Sequence, residues 1–143
     1  MLNDMEISSL IMQGKLISEN YEPDCLTPNG YDLRVGEHSE ETVEKNKLFF
    51  ISSMELLDMP DNIVASLYIK SRYARHGIFS SFGFVDAGFS GNLTMAFYNF
   101  GEPIEIRTGI KFVQIVFHEI KSPEKNYASR SGHFQGSRGI DRG

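Results

Sequence analysis

One cysteine, Cys25, occurs in 143 residues, so no internal disulfide can form. No apolar run is long enough to span a bilayer, and the first residues lack the basic-then-apolar pattern of a secretory signal. Together these absences predict a reducing, cytoplasmic setting with no membrane attachment. The four histidines, His38, His76, His118 and His133, stand singly, with no cysteine pair and no HExxH. That argues against a transition metal ligated by the protein. A Walker A loop and a GxGxxG loop are both missing, which removes two common phosphate cradles. No internal repeat is found, and no low-complexity segment before the C-terminal tail.

The chain is long enough for one domain with a real core and too short for two. Its 41% hydrophobic and 23% charged residues are ordinary for a globular fold. Charge is uneven: residues 1–120 hold 17 Asp+Glu against 9 Lys+Arg, whereas residues 121–143 hold 2 against 5. An acidic body argues against general nucleic-acid binding. The basic, Gly/Ser-rich tail suits either a flexible flap that closes on a small polyanion or a disordered end. The expected organisation is a β domain over 1–120 and a flexible C-terminal flap over 121–143 that belongs to it.

Asn3 followed by Glu6 reads as a capping box for a short helix, with Ile7, Leu10 and Ile11 on one face and Gly14 as terminator. Pro23, Pro28, Asn29 and Gly30 mark a loop. Short β-rich runs follow: YDLRVG (31–36), KLFFIS (47–52), IVASLYIK (63–70), LTMAFYNF, PIEIR and KFVQIVFHEI. SMELLDMPDN is open between a turn of helix and an irregular strand. Eight to ten short strands and one helix predict an all-β sandwich or jelly roll. Phe112, Val113, Ile115, Val116 and Phe117 leave almost no polar face, so this strand needs cover on both sides. In so small a domain, neighbouring subunits are the expected cover.

The stretch FGFVDAGFSGN (82–92) sets three glycines around one carboxylate, Asp86. Strand-like runs flank it, so it reads as a hairpin whose tip offers backbone amides and one acid. Asp86 suits a general base toward water, a partner for a sugar hydroxyl, or a turn cap. Phe89 is a stacking surface for a sugar or base, or a core residue. KSRYARHG places Lys70, Ser71, Arg72 and Arg75 just past a strand end, a donor set that phosphate oxygens favour. Gln114, polar inside an apolar strand, bonds a neighbouring backbone or reaches a ligand. Asp32 either faces a metal-bound water or pairs with Arg34. Tyr127 and Phe134 in the tail form a lid over a flat ring, or dock on their own body.

Taken in order, YDLRVG, KSRYARHG, GFVDAGFSG, NFGEPIEIRTGIKFVQIVF and HFQGSRG resemble the five motifs of the trimeric dUTPases and the related dCTP deaminases. The helix before YDLRVG is closer to the deaminase and archaeal branch. The resemblance implies a distorted jelly roll, a homotrimer with active sites at subunit interfaces, dUTP as substrate, and Mg²⁺ held mainly by the triphosphate. It implies that Asp86 activates water and that Phe89 packs on deoxyribose. Ser71, Arg72, Arg75 and Gln114 take phosphate-gripping positions, with Lys70 in place of the motif's first Arg. Thr94, Met95 and Ala96 fall where the pyrimidine edge is read, and Asp32 where a carboxylate touches the Mg²⁺ water shell. Phe134 falls in the flap, which lacks the usual Gly-Phe-Gly-Ser-Thr.

The branch point is Ala96. Deaminases of the family carry a proton-shuttling Glu there, and a methyl group moves no proton. General acid–base help is worth about 10²–10⁴-fold, so the resemblance implies dUTP hydrolysis to dUMP and pyrophosphate. The alternatives are a dCTP deaminase or bifunctional enzyme with a substitute acid, and a non-catalytic binding module.

Overall fold

The computed structural model describes residues 1–130 and 132–143. Thirteen strands run in chain order: β1 (Leu16–Glu19), β2 (Leu26–Thr27), β3 (Gly30–His38), β4 (Thr42–Val43), β5 (Lys47–Ser53), β6 (Leu56–Asp58), β7 (Ile63–Ile69), β8 (Ile78–Phe79), β9 (Phe84–Val85), β10 (Ser90–Gly91), β11 (Thr94–Asn99), β12 (Ile104–Glu105) and β13 (Lys111–Glu119). Among the described residues, three α-helices accompany them, α1 (Asp4–Met12), α2 (Ser71–His76) and α3 (Tyr127–Arg130), with a 3₁₀ turn at Pro23–Cys25. The fold is all-β, a curled jelly roll, as expected. The strands exceed the expected eight to ten because several two-residue segments, such as Thr42–Val43 against Ile104–Glu105, pair briefly.

A large antiparallel sheet has the order β8-β11-β5-β3-β13-β7-β9, with β2 beside β3. A smaller sheet runs β1-β6-β10, and β12 pairs with β4. SMELLDMPDN thus supplies a strand, β6, and not a turn of helix. The aromatic centre of the core is Phe112, with Phe97 edge-on at 5.1 Å, Phe49 edge-on at 6.4 Å and Tyr73 stacked at 4.1 Å. Such pairs contribute roughly 0.5–1.5 kcal/mol each beyond burial.

The N-terminal helix forms as the sequence predicts. Asn3 Oδ1 accepts from the Glu6 N–H at 2.9 Å, and Gly14 ends the turn at φ +79°. Ile7 is fully buried, and the Leu2 N–H bonds the Phe117 carbonyl at 2.9 Å, which ties this end to β13.

Two expectations are corrected. Residues 82–92 are not a hairpin: β9 pairs with β7 in the large sheet and β10 with β6 in the small one. Gly88 at φ +85° turns the chain from one sheet to the other, a backbone state open to glycine at little cost. The apolar strand β13 also needs no neighbouring subunit for cover. Phe112, Val113, Ile115, Val116 and Phe117 are each at most 3% exposed within the single chain. The curl of the sheet wraps the chain around both faces.

KSRYARHG, expected only to follow a strand end, forms a short helix, α2. Tyr73 anchors α2 on Phe112, and Gly77 closes it in the left-handed region at φ +102°. Among the described residues, no helix is long and apolar enough to cross a membrane.

Candidate active site

Residues 82–86, Phe89, the start of β11 and the C-terminal tail enclose a cleft of about 420 Å³. Along β11 the side chains alternate. Met95 and Phe97 point into the core, while Thr94 and Ala96 face outward. Met95 therefore offers the cleft its backbone, and Ala96 offers a methyl group. The Ser80 hydroxyl donates to the Ala96 carbonyl, so one acceptor on this edge is already engaged.

Asp86 is exposed at the cleft wall, and its carbonyl accepts from the Phe89 N–H at 3.1 Å. The tight turn that results holds the acid and the aromatic ring together. Phe89 is 6% exposed, and its ring meets that of Tyr127 edge-on at 5.5 Å. It is thus both a packed residue and part of the lining.

The tail forms the opposite wall. The Tyr127 hydroxyl accepts from the Phe134 N–H at 2.8 Å, placing both aromatics on the cleft. Gln135 bridges to the Asp86 stretch: its carbonyl oxygen accepts from the Ser90 N–H, and its amide donates to the Gly88 carbonyl. Farther on, Thr94 Oγ1 accepts from the Asp141 N–H at 2.7 Å. Among the described residues, the tail is docked on its own body at 126–127 and over 135–141.

Asp141 is a second carboxylate on the cleft that sequence reasoning missed. Hydrogen bonds from the Gly143 N–H and the Ser137 hydroxyl hold its carboxyl below the usual range. It is the third residue from the end of the chain, among glycines and arginines, and only the fold brings it back to Thr94.

The expected phosphate set lies elsewhere. Lys70, Ser71, Arg72, Arg75 and Gln114 are outside the lining of this cleft. Lys70 Nζ binds Asp32 Oδ2 at 2.6 Å, so Asp32 pairs with Lys70 and not with Arg34. Gln114 Nε2 donates to Thr27 Oγ1 at 2.9 Å. Ser71, Arg72 and Arg75 are exposed on α2. A single chain therefore brings Asp86, Phe89, Thr94, Met95, Ala96, Tyr127 and Phe134 together, and keeps Asp32, Lys70, Gln114 and the α2 residues apart from them.

Behind the cleft lies a buried polar network that the sequence did not advertise. Glu55 is 0% exposed and accepts from the Tyr31 hydroxyl, the Arg34 backbone N–H and Arg34 Nε at 2.8–3.1 Å. Burial, then the Glu55 charge, pushes the Tyr31 phenol well above its ordinary value. Ser53 and Asn92 extend this network to β11 through Leu93 and the Glu55 carbonyl. A carboxylate in the apolar run SMELLDMP was the one visible signal.

Comparisons with known proteins agree with this architecture. Residues 37–120 match the family model described as dCTP deaminase-like. A dCTP deaminase of Pyrococcus horikoshii is 35% identical over 137 residues, covering 86% of each chain. The structure of a 2′-deoxycytidine 5′-triphosphate deaminase from Agrobacterium tumefaciens superposes with a TM-score of 0.72 at 24% identity, over 84% of this chain. The overlap spans about half (47%) of that longer chain. A Staphylococcus bacteriophage 80alpha dUTPase superposes with a TM-score of 0.60 at 22% identity, over 78% of this chain and 91% of its own. With the family model spanning most of the β domain and a relative above 30% identity along nearly the whole chain, the protein belongs to the dCTP deaminase-like family.

Proposed function

We propose that the protein acts on a pyrimidine deoxynucleoside triphosphate and hydrolyses dUTP to dUMP and pyrophosphate. The carrying observation is one cleft in which an exposed carboxylate, Asp86, stands with the methyl group of Ala96 where a deaminase would need an acid. Asp86 orients a water and takes its proton as the oxygen attacks the α-phosphorus. The bond to the bridging oxygen breaks, and pyrophosphate leaves. The backbone of 94–96 reads the base edge, with Phe89 beneath the sugar.

Among the described residues there is no cluster of three or more metal-ligating groups. Two carboxylates on the cleft suit a divalent ion held chiefly by phosphate oxygens, which is how Mg²⁺ is commonly bound. Such an ion would shield the charge of the triphosphate. The separation of the α2 residues from the cleft supports a site completed by a second copy, which would bring Ser71, Arg72 and Arg75 to the phosphates in a homotrimer. The lone, buried Cys25 supports a reducing, cytoplasmic setting.

A second reading, deamination of dCTP, is favoured by the description of the matched family and by the name of the Pyrococcus relative. Its proton shuttle would have to be Asp141, the other acid on the cleft. Efficient shuttles have pKa values near the working pH, and the bonds to Asp141 move it the opposite way. The methyl group at position 96 is what favours hydrolysis over this reading.

The test is to incubate the protein with dUTP and dCTP in Mg²⁺ buffer and identify the products. Pyrophosphate from dUTP, no ammonia from dCTP, and a loss of about 10²–10⁴-fold in Asp86→Asn are expected. Ammonia from dCTP faster than pyrophosphate from dUTP would replace this reading with the second.

A further inference from the structure

Ser71, Arg72 and Arg75 are carried on a helix of six residues. So short a helix does not hold its shape alone, because the nucleating turn costs more than the few bonds after it return. No side chain caps its N-terminus either. Its shape and its place come from what it is packed on. Near its start, Tyr73 stacks on Phe112, and Lys70, the residue before the helix, is paired with Asp32. At its far end it meets residues 99–102, and there the contact is backbone on backbone. The Phe100 N–H donates to the Gly77 carbonyl at 2.8 Å, and the His76 Nε2–H donates to the Glu102 carbonyl at 3.0 Å. A Cβ on Gly101 would overlap the His76 carbonyl, and one on Gly77 would lie 2.8 Å from the Gly101 nitrogen. Glycine at both positions is what lets the two segments touch.

What makes this platform firm is one side chain, Asn99, the last residue of β11. It is 0% exposed. Its amide donates to the carbonyls of Val43, Glu44 and Glu102 at 3.0–3.4 Å, and its Oδ1 accepts from the Gly101 N–H at 2.9 Å. Asn99 thus ties β4 and the residue after it to the turn on which α2 ends. All four partners are backbone groups, so the turn is held whatever its side chains do. Aspartate has the same shape but no donor for the three carbonyls. Arg72 and Arg75, by contrast, are exposed, and among the described residues neither takes part in an ion pair. No salt bridge fixes where these cations point, so the helix that carries them must.

We propose that Asn99 is a positioning residue for the reaction: acting through Gly101 and Glu102, it fixes the C-terminal end of α2 and so the reach of Arg72 and Arg75 toward a triphosphate. This rests on the assignment of α2 to phosphate and adds what holds that helix in place. Asn99 itself touches no substrate. Its effect is one of distance, and misplacing a group by about 1 Å costs up to about 10²-fold.

Two variants test it. Asn99→Ala removes the hub, at some cost in stability because the site is buried. Gly101→Ala leaves the hub in place and pushes only on the end of α2, so it keeps the proposal testable if the first fails to fold. Each is titrated with the non-hydrolysable α,β-imido analogue of dUTP and with dUMP. Displaced charge-assisted bonds predict a loss of roughly 10- to 100-fold for the imido-triphosphate and less than about twofold for dUMP. A merely structural role would weaken both ligands alike. Unchanged affinity of the folded Gly101→Ala variant for the imido-triphosphate overturns the proposal, as does an equal loss for both ligands. Arg72→Ala/Arg75→Ala is measured alongside. If that variant keeps wild-type affinity for the imido-triphosphate, the assignment of α2 to phosphate fails, and the positioning role falls with it for a different reason.

Discussion

Ser137 pairs in parallel with Gly91, its backbone nitrogen 2.9 Å from the point a Cβ on Gly91 would occupy. Gly91 also sits at φ +146°. The glycine therefore does two things at once. It adopts a backbone state that other residues resist, and it lets the chain's own tail lie against the strand that precedes the cleft floor.

Gly91→Ala should detach the tail without unfolding the body. The new methyl would press on the Ser137 backbone, and the Asn92 N–H bond to the Ser137 carbonyl would be lost with it. Hydrogen exchange should show faster opening at Asn92 and Asp141, with β13 amides unchanged. Equal protection of the tail in the variant and wild type would show that Gly91 has no part in docking it.

Ala96→Glu tests the branch between the two chemistries. Position 96 is exposed at the cleft, so a longer side chain fits without disturbing the core. The variant should release ammonia from dCTP at least about 10²-fold faster than wild type, the usual worth of a positioned proton carrier. Its affinity for the triphosphate should fall through repulsion by the added charge. A folded variant that releases no ammonia would mean that the missing acid is not what separates the chemistries here.

Glu55→Ala should be among the most destabilising single changes outside the aromatic core. It leaves the Arg34 guanidinium and the Tyr31 hydroxyl without their shared acceptor. Breaking a buried ion pair costs about 3–5 kcal/mol, visible as a large drop in the midpoint of thermal or urea unfolding. A shift equal to that of an ordinary surface substitution would show that water replaces the carboxylate.

Docking of the tail should depend on pH only in acid. Arg138, by hydrogen bond and then by charge, lowers the carboxyl of Glu19 from its ordinary 4.5. Asp141 is lowered from 3.8 by the Gly143 N–H and Ser137. A depressed carboxyl binds its proton less readily when the tail is docked. Its contribution is therefore complete above the ordinary value and is lost as pH falls through the depressed one. Exchange protection at Asp141, corrected for the intrinsic rate, should be flat from neutral pH to about 5 and decline below about 4. Loss of protection near neutrality would assign the docking to another group.

The local elements were legible in the chain itself. Asn3 and Glu6 announce their helix because a cap needs only an oxygen at the right spacing from a free N–H. The runs at 47–52, 63–70 and 111–119 announce strands through their β-branched and aromatic content. Asp86, Phe89 and the stretch 94–96 line one cleft, since turns and neighbouring strands keep them close. Everything that depends on partners distant in sequence was decided by the tertiary structure. Residues 82–92 join two sheets because β9 and β10 find different strands, and no local pattern records which strand will be met. The two-sided apolar face of β13 was correctly read as needing cover, yet apolar surface is buried equally well by any neighbour. Only the curl of the sheet determined that the cover is the chain's own. Asp32 took Lys70, Glu55 took Arg34 and Asp141 returned to Thr94 for the same reason: a charge or a backbone N–H satisfies the nearest partner in space, and folding alone sets which residue that is.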